Sequence, residues 1–275
     1  MNGKADNAIT ETAARLRAEG RPHAVATVVR TISSTAAKPG MKAIILEDGA
    51  YAEGWLGGGC VTSAVRRAAQ SAISTGEATL VCLRPEELLA DSEGGEEMVT
   101  LARNGCPSKG SMDIFVEPVI PQPELLVFGT GPVARALLRI AGGFGFTLAC
   151  CGEDVPDDGT VSLAFTSPDE LPSHTNGNAE RYIIVATQGA RDVASLTVAL
   201  RMPNSYLAFV GSRKKFASYR EQLLAAGIPA SDIDLVRSPA GLHINAVTPE
   251  EIALSVMAEI VQTRRGSRRA EVAHG

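Results

Sequence analysis

The stretch ELLVFGTGPVARALLRIAGGFGF, residues 124–146, indicates a strand, a glycine turn and a helix in succession. An apolar run precedes Gly129, Gly131 and Ala134, and apolar residues then recur at helical spacing. In a dinucleotide-binding unit the first glycine permits a tight turn, the second lets the backbone approach a pyrophosphate, and a small third residue allows close helix packing. The helix N-terminus adds unpaired N–H groups. The stretch therefore predicts a phosphate-binding turn; the alternative is a packing turn without a ligand.

Two further strands after this turn also end in loops that suit a ligand. The apolar run 181–187 is followed by Gln188, and the run 206–210 is followed by a loop with a glycine, a hydroxyl and cations. Ligands of open parallel sheets bind at such carboxyl ends. Residues 146–151 predict the second strand, after which Glu153 and Asp154 are the nearest acidic candidates for the ribose hydroxyls. The candidate cofactor-binding residues are Gly129, Thr130, Gly131, Pro132, Val133, Ala134, Glu153, Gln188, Gly211, Ser212 and Arg213.

The residues before this unit predict a smaller α/β domain. Residues 23–32, 41–47 and 51–56 have the composition of strands, and a helical pattern starts at Val61 after three consecutive glycines and Cys60. A thiol at a helix N-terminus is expected to ionise more easily than a free cysteine, which favours a metal or sulfur ligand. The alternative is that Cys60 is a small residue that fills a tight turn.

A second cysteine of the first domain also lies between glycines. Strands are predicted at 77–83 and 111–119, and the acidic segment 85–103 between them predicts a helix or a lid-like loop. Cys106 follows in a loop, and we hypothesise that Cys60 and Cys106 converge as catalytic or metal-binding thiols. Their separation of 46 residues has no metal-site spacing, so the sequence leaves this open.

Three prolines, at 118, 121 and 123, predict a stiff linker between the two domains. The predicted fold class is α/β: a small N-terminal α/β domain followed by a Rossmann-like, doubly wound parallel sheet. The expected boundaries are 1–120 for the first domain, 121–263 for the second and 264–275 for a disordered tail.

Composition excludes several classes of function. A net charge of −5 and an aromatic content of 4% argue against nucleic-acid binding. The polar N-terminus predicts no signal peptide, no apolar run is long enough to span a membrane, and five cysteines suggest free thiols in a cytoplasmic protein. Four scattered histidines, no GxSxG and no P-loop lysine argue against common metal, hydrolase and kinase sites.

Several motifs together resemble the XdhC/CoxI family, accessory proteins that mature molybdenum hydroxylases such as xanthine dehydrogenase and carbon monoxide dehydrogenase. The motifs are ATVVRT at 26–31, GGGC at 57–60, GCPSKGSMDIFVEP at 105–118, FGTGPVARAL at 128–137, ATQGARD at 186–192, VGSRKK at 210–215 and SPAGLHINAVTPEEIALSVMAEIV at 238–261. The resemblance implies a protein that binds molybdenum cofactor, supports its sulfuration and delivers it to an apo-hydroxylase. It implies an accessory protein rather than a turnover enzyme.

The resemblance also sets expectations for the ligands and partners. The cofactor would be molybdopterin or its cytosine dinucleotide, with Cys60 and Cys106 facing molybdenum or copper, and Gly211, Ser212 and Arg213 supporting the anionic part. A cysteine desulfurase and a second copy of the chain are further candidate partners. Departures such as Thr62 in place of a glutamate, or GLHINA with His243 and Asn245 in place of a GLDIGA-like turn, suggest a divergent branch, one specialised for carbon monoxide dehydrogenase. The alternative function is an NAD(P)-dependent oxidoreductase.

Overall fold

The computed structural model describes residues 3–32, 35, 37–85, 99–103, 110–173, 179–189 and 191–274. The chain divides into two compact units: the first comprises residues 1–121 and 267–275, and the second comprises residues 122–266. Within the described residues, no helix is both long enough and apolar enough to cross a membrane.

The first unit is a six-stranded sheet with helices. Its elements are α1 (Gly3–Ala18), β1 (His23–Ile32), β2 (Lys42–Leu46), β3 (Tyr51–Gly54), α2 (Gly59–Thr75), β4 (Thr79–Arg84), β5 (Val99–Arg103) and β6 (Ser111–Val119). The strand order is β3-β2-β1-β6-β4-β5, and every pair is antiparallel except β4 with β5. Alternate residues of β1 are buried because one face of the sheet packs on the apolar side of α2. A smaller cluster of Ile9, Leu16 and Ile44 packs α1 against β2.

The strand β5 corrects one expectation. The segment 85–103 was predicted as a helix or a lid-like loop, but its last five residues pair in parallel with β4. Because acidic residues dominate the segment, its composition did not indicate a strand at the short Val-Thr-Leu-Ala run. Residues 86–98 lie outside the described part of the chain.

The second unit is a doubly wound parallel sheet, as predicted. Its elements are β7 (Glu124–Phe128), α3 (Pro132–Ala141), β8 (Thr147–Cys151), β9 (Leu163–Phe165), β10 (Arg181–Val185), α4 (Asp192–Arg201), β11 (Tyr206–Phe209), α5 (Arg213–Ala225), α6 (Ala230–Leu235) and α7 (Pro249–His274). The part of α7 up to Gly266 belongs to this unit. The strand order is β11-β10-β7-β8-β9 with all pairs parallel. Helices α3 and α7 cover one face, and α4, α5 and α6 cover the other. The strands are near-continuous apolar runs because both of their faces are buried.

The last helix differs from the predicted end of the chain. Residues 264–275 were expected to form a disordered tail, whereas α7 continues through this region to His274. At its start the Thr248 hydroxyl accepts from the Glu251 amide at 3.2 Å, and the Glu251 carboxylate accepts from the Thr248 amide at 2.9 Å. This reciprocal capping box fixes the first turn of the helix.

One buried ion pair joins the starts of the neighbouring strands β7 and β10. The Arg181 Nε donates to Glu124 Oε1 at 2.6 Å, and the two side chains are only 3% and 4% exposed. The two residues are direct neighbours in the β7–β10 register. Removing one partner of such a pair leaves an uncompensated buried charge, whereas removing both does not.

We therefore expect Glu124→Leu to lower the free energy of unfolding by about 3–5 kcal/mol. The double variant Glu124→Leu/Arg181→Met should be clearly more stable than the single one. Hydrogen exchange of peptides from β7 and β10, measured by mass spectrometry with increasing urea, would report both effects. Equal stability of the single and double variants would contradict this role of the pair.

Candidate functional site

A cleft of about 390 Å³ lies at the carboxyl ends of β7, β8 and β10. The strands that follow β7 in the chain lie first on one side of it, at β8 and β9, and then on the other side, at β10 and β11. The strand order therefore reverses at this point of the sheet. Open parallel sheets bind ligands at such a point. The glycine turn between β7 and α3 forms the floor of the cleft.

Gly129 is required by the packing of the sheet. Its φ of +114° is in the region that favours glycine, and a Cβ there would lie 2.4 Å from the Ala186 carbonyl oxygen. The Gly129 amide also donates to the Cys151 oxygen at 2.8 Å. The turn after β7 thus lies tightly between the ends of β10 and β8, and no side chain fits at this position.

Gly131 has a different role. Its φ of −68° suits any residue, and it stands just before the first turn of α3. The three atoms nearest to a Cβ there would all belong to the Gln188 carboxamide, with 2.8 Å to the Cδ atom. Because a flexible side chain can move aside, the fold itself tolerates a substitution here. The missing side chain instead keeps the backbone of the turn open to a ligand beside Gln188.

The next predicted residues lie in the same turn. Pro132 is the first residue of α3, Val133 follows, and Ala134 is fully buried against the strands. The Thr130 carbonyl accepts from Arg135 Nε at 2.8 Å, and the same guanidinium donates to the Asp154 carbonyl at 3.0 Å. Arg135 thereby joins the glycine turn to the loop after β8.

Glu153 lies at the edge of the cleft and pairs with Arg191. The Glu153 Oε1 and Arg191 Nη2 atoms are 2.7 Å apart, and the side chains are 76% and 50% exposed, respectively. Glu153 follows β8, whereas Arg191 follows β10, so the pair joins loops on the two sides of β7. Glu153 is one of the residues predicted to bind a cofactor, but no local sequence pattern indicated that Arg191 would be its partner.

A buried carboxylate organises the loop after β10. Asp192 is 2% exposed, and it accepts from Lys215 Nζ at 2.6 Å and the Gly189 amide at 3.0 Å. The Thr187 and Tyr219 hydroxyls donate to the same carboxylate. Burial opposes ionisation, but the hydrogen bonds, led by that from Lys215, outweigh it and hold the pKa of Asp192 below its ordinary value.

The predicted residues after β11 lie in another cavity. Gly211, Ser212 and Arg213 line a space of about 500 Å³ together with the loop that contains His243 and Asn245. This cavity shares no lining residue with the cleft at the glycine turn. Ser212 Oγ accepts from the Lys215 amide at 3.2 Å as the cap of α5, and a Cβ on Gly211 would lie 2.3 Å from the Phe209 ring. Packing and capping thus account for two of the three residues.

Cys60 is exposed and is the second residue of α2, so the helix begins slightly earlier than predicted. A Cβ on Gly58 or Gly59 would meet nothing within 4 Å, so packing does not require a glycine at either position. Cys106 lies outside the described residues, and its convergence with Cys60 stays a hypothesis. Within the described part of the chain, no three His, Cys, Asp or Glu side chains are grouped so that they could hold a metal ion.

The sequence pattern missed Arg135, Arg191 and Asp192 as residues that shape the cleft. Asp192 is the last residue of the motif at 186–192, and nothing local distinguishes it from an exposed aspartate at the start of a helix. Its four donors come from the loop after β10 and from α5, up to 27 residues away. The one available signal was the position of Arg191-Asp192 at the carboxyl end of a buried strand.

Asp192→Asn should lower the free energy of unfolding of the second unit by about 2 kcal/mol at pH 7, because an amide cannot balance Lys215. A carboxylate whose pKa is lower in the folded protein than in the unfolded chain stabilises the fold. This effect is complete above the pKa of the unfolded chain, about 4, and is lost as the pH falls through the pKa of the folded protein. The difference between variant and wild type should therefore shrink below about pH 4. Urea unfolding at several pH values would measure this.

The exposed Asp157 provides the matched control, since Asp157→Asn makes the same chemical change in the same unit. Its effect should stay within about 0.5 kcal/mol. An Asp192→Asn protein as stable as wild type at pH 7 would contradict the role of this carboxylate.

Known proteins share both units of the chain. Residues 125–260 match the model of the XdhC Rossmann domain, and residues 16–84 match that of the XdhC and CoxI family. The chain is 27% identical over 273 residues to the uncharacterised protein YqeB of Escherichia coli (strain K12), covering 95% of this chain and 47% of that protein. It is 31% identical over 162 residues to a probable subunit of xanthine dehydrogenase from Bacillus subtilis (strain 168), covering 56% of this chain and 46% of that one.

The chain thus spans about half the length of these curated relatives. Among solved structures, a xanthine dehydrogenase from Bacillus halodurans aligns with a TM-score of 0.45 and 19% identity, covering 93% of this chain and 95% of that one. The two family models match both units of the chain, and the glycine turn lies within the Rossmann match. The chain therefore belongs to the XdhC and CoxI family.

Proposed function

We propose that the protein is a maturation factor that binds molybdenum cofactor as cargo and assists its delivery to an apo molybdenum hydroxylase. The observation that carries this proposal is the cleft at the glycine turn, where Gly131 leaves the start of α3 open and the fold does not need a glycine. Membership of the XdhC and CoxI family, and a relative named as a probable part of a xanthine dehydrogenase, support a hydroxylase as the client.

The residues of the cleft fit the pyrophosphate part of such a cargo. The first-turn amides of α3 have no partner within the helix, and they attract an anion together with the helix dipole. Arg191 adds a guanidinium, which suits phosphate oxygens. A cytosine dinucleotide form of the cofactor would bring its pyrophosphate to this turn. Gly211, Ser212 and Arg213, which line the separate cavity, are less suited to support the same phosphates.

The metal end of the cargo would need a soft ligand. Cys60 is an exposed thiol at the start of α2, and a thiolate suits molybdenum or copper. We assign to it, and to Cys106, the contact with the metal during sulfuration or copper loading. A cysteine desulfurase is the corresponding sulfur donor.

The first test measures binding of released molybdenum cofactor to the anaerobically purified protein, beside NAD(P)H. Gly131→Asp should raise the dissociation constant of the cofactor at least about 100-fold, because a like charge beside the pyrophosphate costs several kcal/mol. Circular dichroism should show an unchanged fold, since only the Gln188 side chain must move.

The matched control is Gly143→Asp, which adds the same charge at an exposed glycine with nothing within 4 Å of its would-be Cβ. It should bind the cofactor as wild type does. Binding of NAD(P)H with no binding of the cofactor would overturn the proposal in favour of the alternative, an NAD(P)-dependent oxidoreductase that uses the same cleft.

The second test concerns the thiol. Cys60→Ala and Cys60→Ser should both reduce activation of the client hydroxylase to background, because neither side chain supplies a soft sulfur ligand. Both variants should still bind the cofactor, since the glycine turn belongs to the other unit. Full activation by either variant would remove Cys60 from the mechanism.

A further inference from the structure

The ion pair between Glu153 and Arg191 lies where a ligand would have to enter. Glu153 comes from the loop after β8 and Arg191 from the loop after β10, and β7 with its glycine turn lies between these strands. The pair, 2.7 Å long, therefore bridges the carboxyl end of β7. Both residues line the same cleft as Gly129 and Gly131.

Because both side chains are exposed, the ion pair between them is weak. Glu153 is 76% exposed and Arg191 is 50% exposed, so water screens their attraction and the pair adds little to stability. A guanidinium binds phosphate with two parallel N–H donors, which is a stronger contact than a solvated pair with one carboxylate oxygen. A phosphate that reaches the turn can thus compete with Glu153 for Arg191.

Two other cations at this end of the sheet, Arg135 and Lys215, already have partners within the second unit. Arg135 donates to the backbone oxygens of Thr130 and Asp154, and these two hydrogen bonds stabilise the shape of the turn. Lys215 contacts the buried Asp192 carboxylate at 2.6 Å. Arg191, by contrast, is held by a flexible, exposed side chain that can release it.

We propose that Glu153 and Arg191 exchange partners when a ligand binds: Arg191 leaves the Glu153 carboxylate for a pyrophosphate, and the freed carboxylate accepts hydrogen bonds from a ribose. The ligand class selected is a ribose-linked pyrophosphate. This inference rests on the proposed function in so far as both place a pyrophosphate at the glycine turn. The position of Glu153 after β8, beside the turn, is where a Rossmann sheet holds the ribose.

The test compares two probes, inorganic pyrophosphate and cytidine diphosphate, by calorimetry on the full chain. Glu153→Gln should bind inorganic pyrophosphate about threefold to fivefold more tightly, because Arg191 no longer has a competing anion. The same variant should bind cytidine diphosphate with unchanged or lower affinity, because it loses the charged acceptor for the ribose. Arg191→Gln should weaken both probes about tenfold or more.

Asp154→Asn is the matched control for charge. It removes one negative charge from the same cleft, but Asp154 contacts Arg135 through its backbone oxygen and not through its carboxylate. Its gain in pyrophosphate affinity should be clearly smaller than that of Glu153→Gln. The exchange would be overturned if the two variants gained pyrophosphate affinity equally, or if Glu153→Gln gained affinity equally for both probes. It would also be overturned if the wild-type protein bound neither probe.

The proposed function and the exchange of partners can fail separately. If Gly131→Asp abolishes binding of molybdenum cofactor while Glu153→Gln and Asp154→Asn behave alike, the proposed function stands and the exchange is wrong. If the exchange pattern is seen with pyrophosphate and cytidine diphosphate but the cofactor does not bind, the exchange stands and the cargo is another ribose-linked pyrophosphate.

Discussion

The close approach of Gly129 to the end of β10 is what gives the cleft its shape. A Cβ at Gly129 would lie 2.4 Å from the Ala186 oxygen, so only a residue without a side chain lets the β7 turn fit between its neighbours. The strand order places the loops after β8 and β10 on the two sides of this turn. Gly131, Glu153 and Arg191 can then act on one ligand, although they come from three different loops.

Charge in the second unit is divided between groups that build the cleft and groups that remain available to a ligand. Asp192 is buried and fully engaged, so it fixes the loop after β10 and adds no accessible negative charge. Glu153 and Arg191 are exposed and neutralise only each other. The cleft can therefore accept an anion by a local exchange of partners, whereas an anion that displaced Lys215 from Asp192 would leave a carboxylate buried without its cation.

The two units carry different chemistry. The second has the glycine turn at which we propose that a pyrophosphate binds, and the first has an exposed thiol at the start of α2. A maturation factor needs both a hold on the organic part of its cargo and a soft contact with the metal, and the family supports such a role. The chain spans about half the length of the curated relatives that it matches.

Local sequence patterns were enough to predict the α/β class, the β7 turn with helix α3, and the parallel second sheet, because glycine turns and buried strands have short-range signatures. They also identified Gly131, Gln188 and Glu153 as candidates for one ligand site. Other features became visible only in the folded chain: Gly211, Ser212 and Arg213 line a different cavity, residues 99–103 form a strand, and Arg191 pairs with Glu153. These facts depend on which strands become neighbours, and strand order is set by long-range packing that no local pattern encodes.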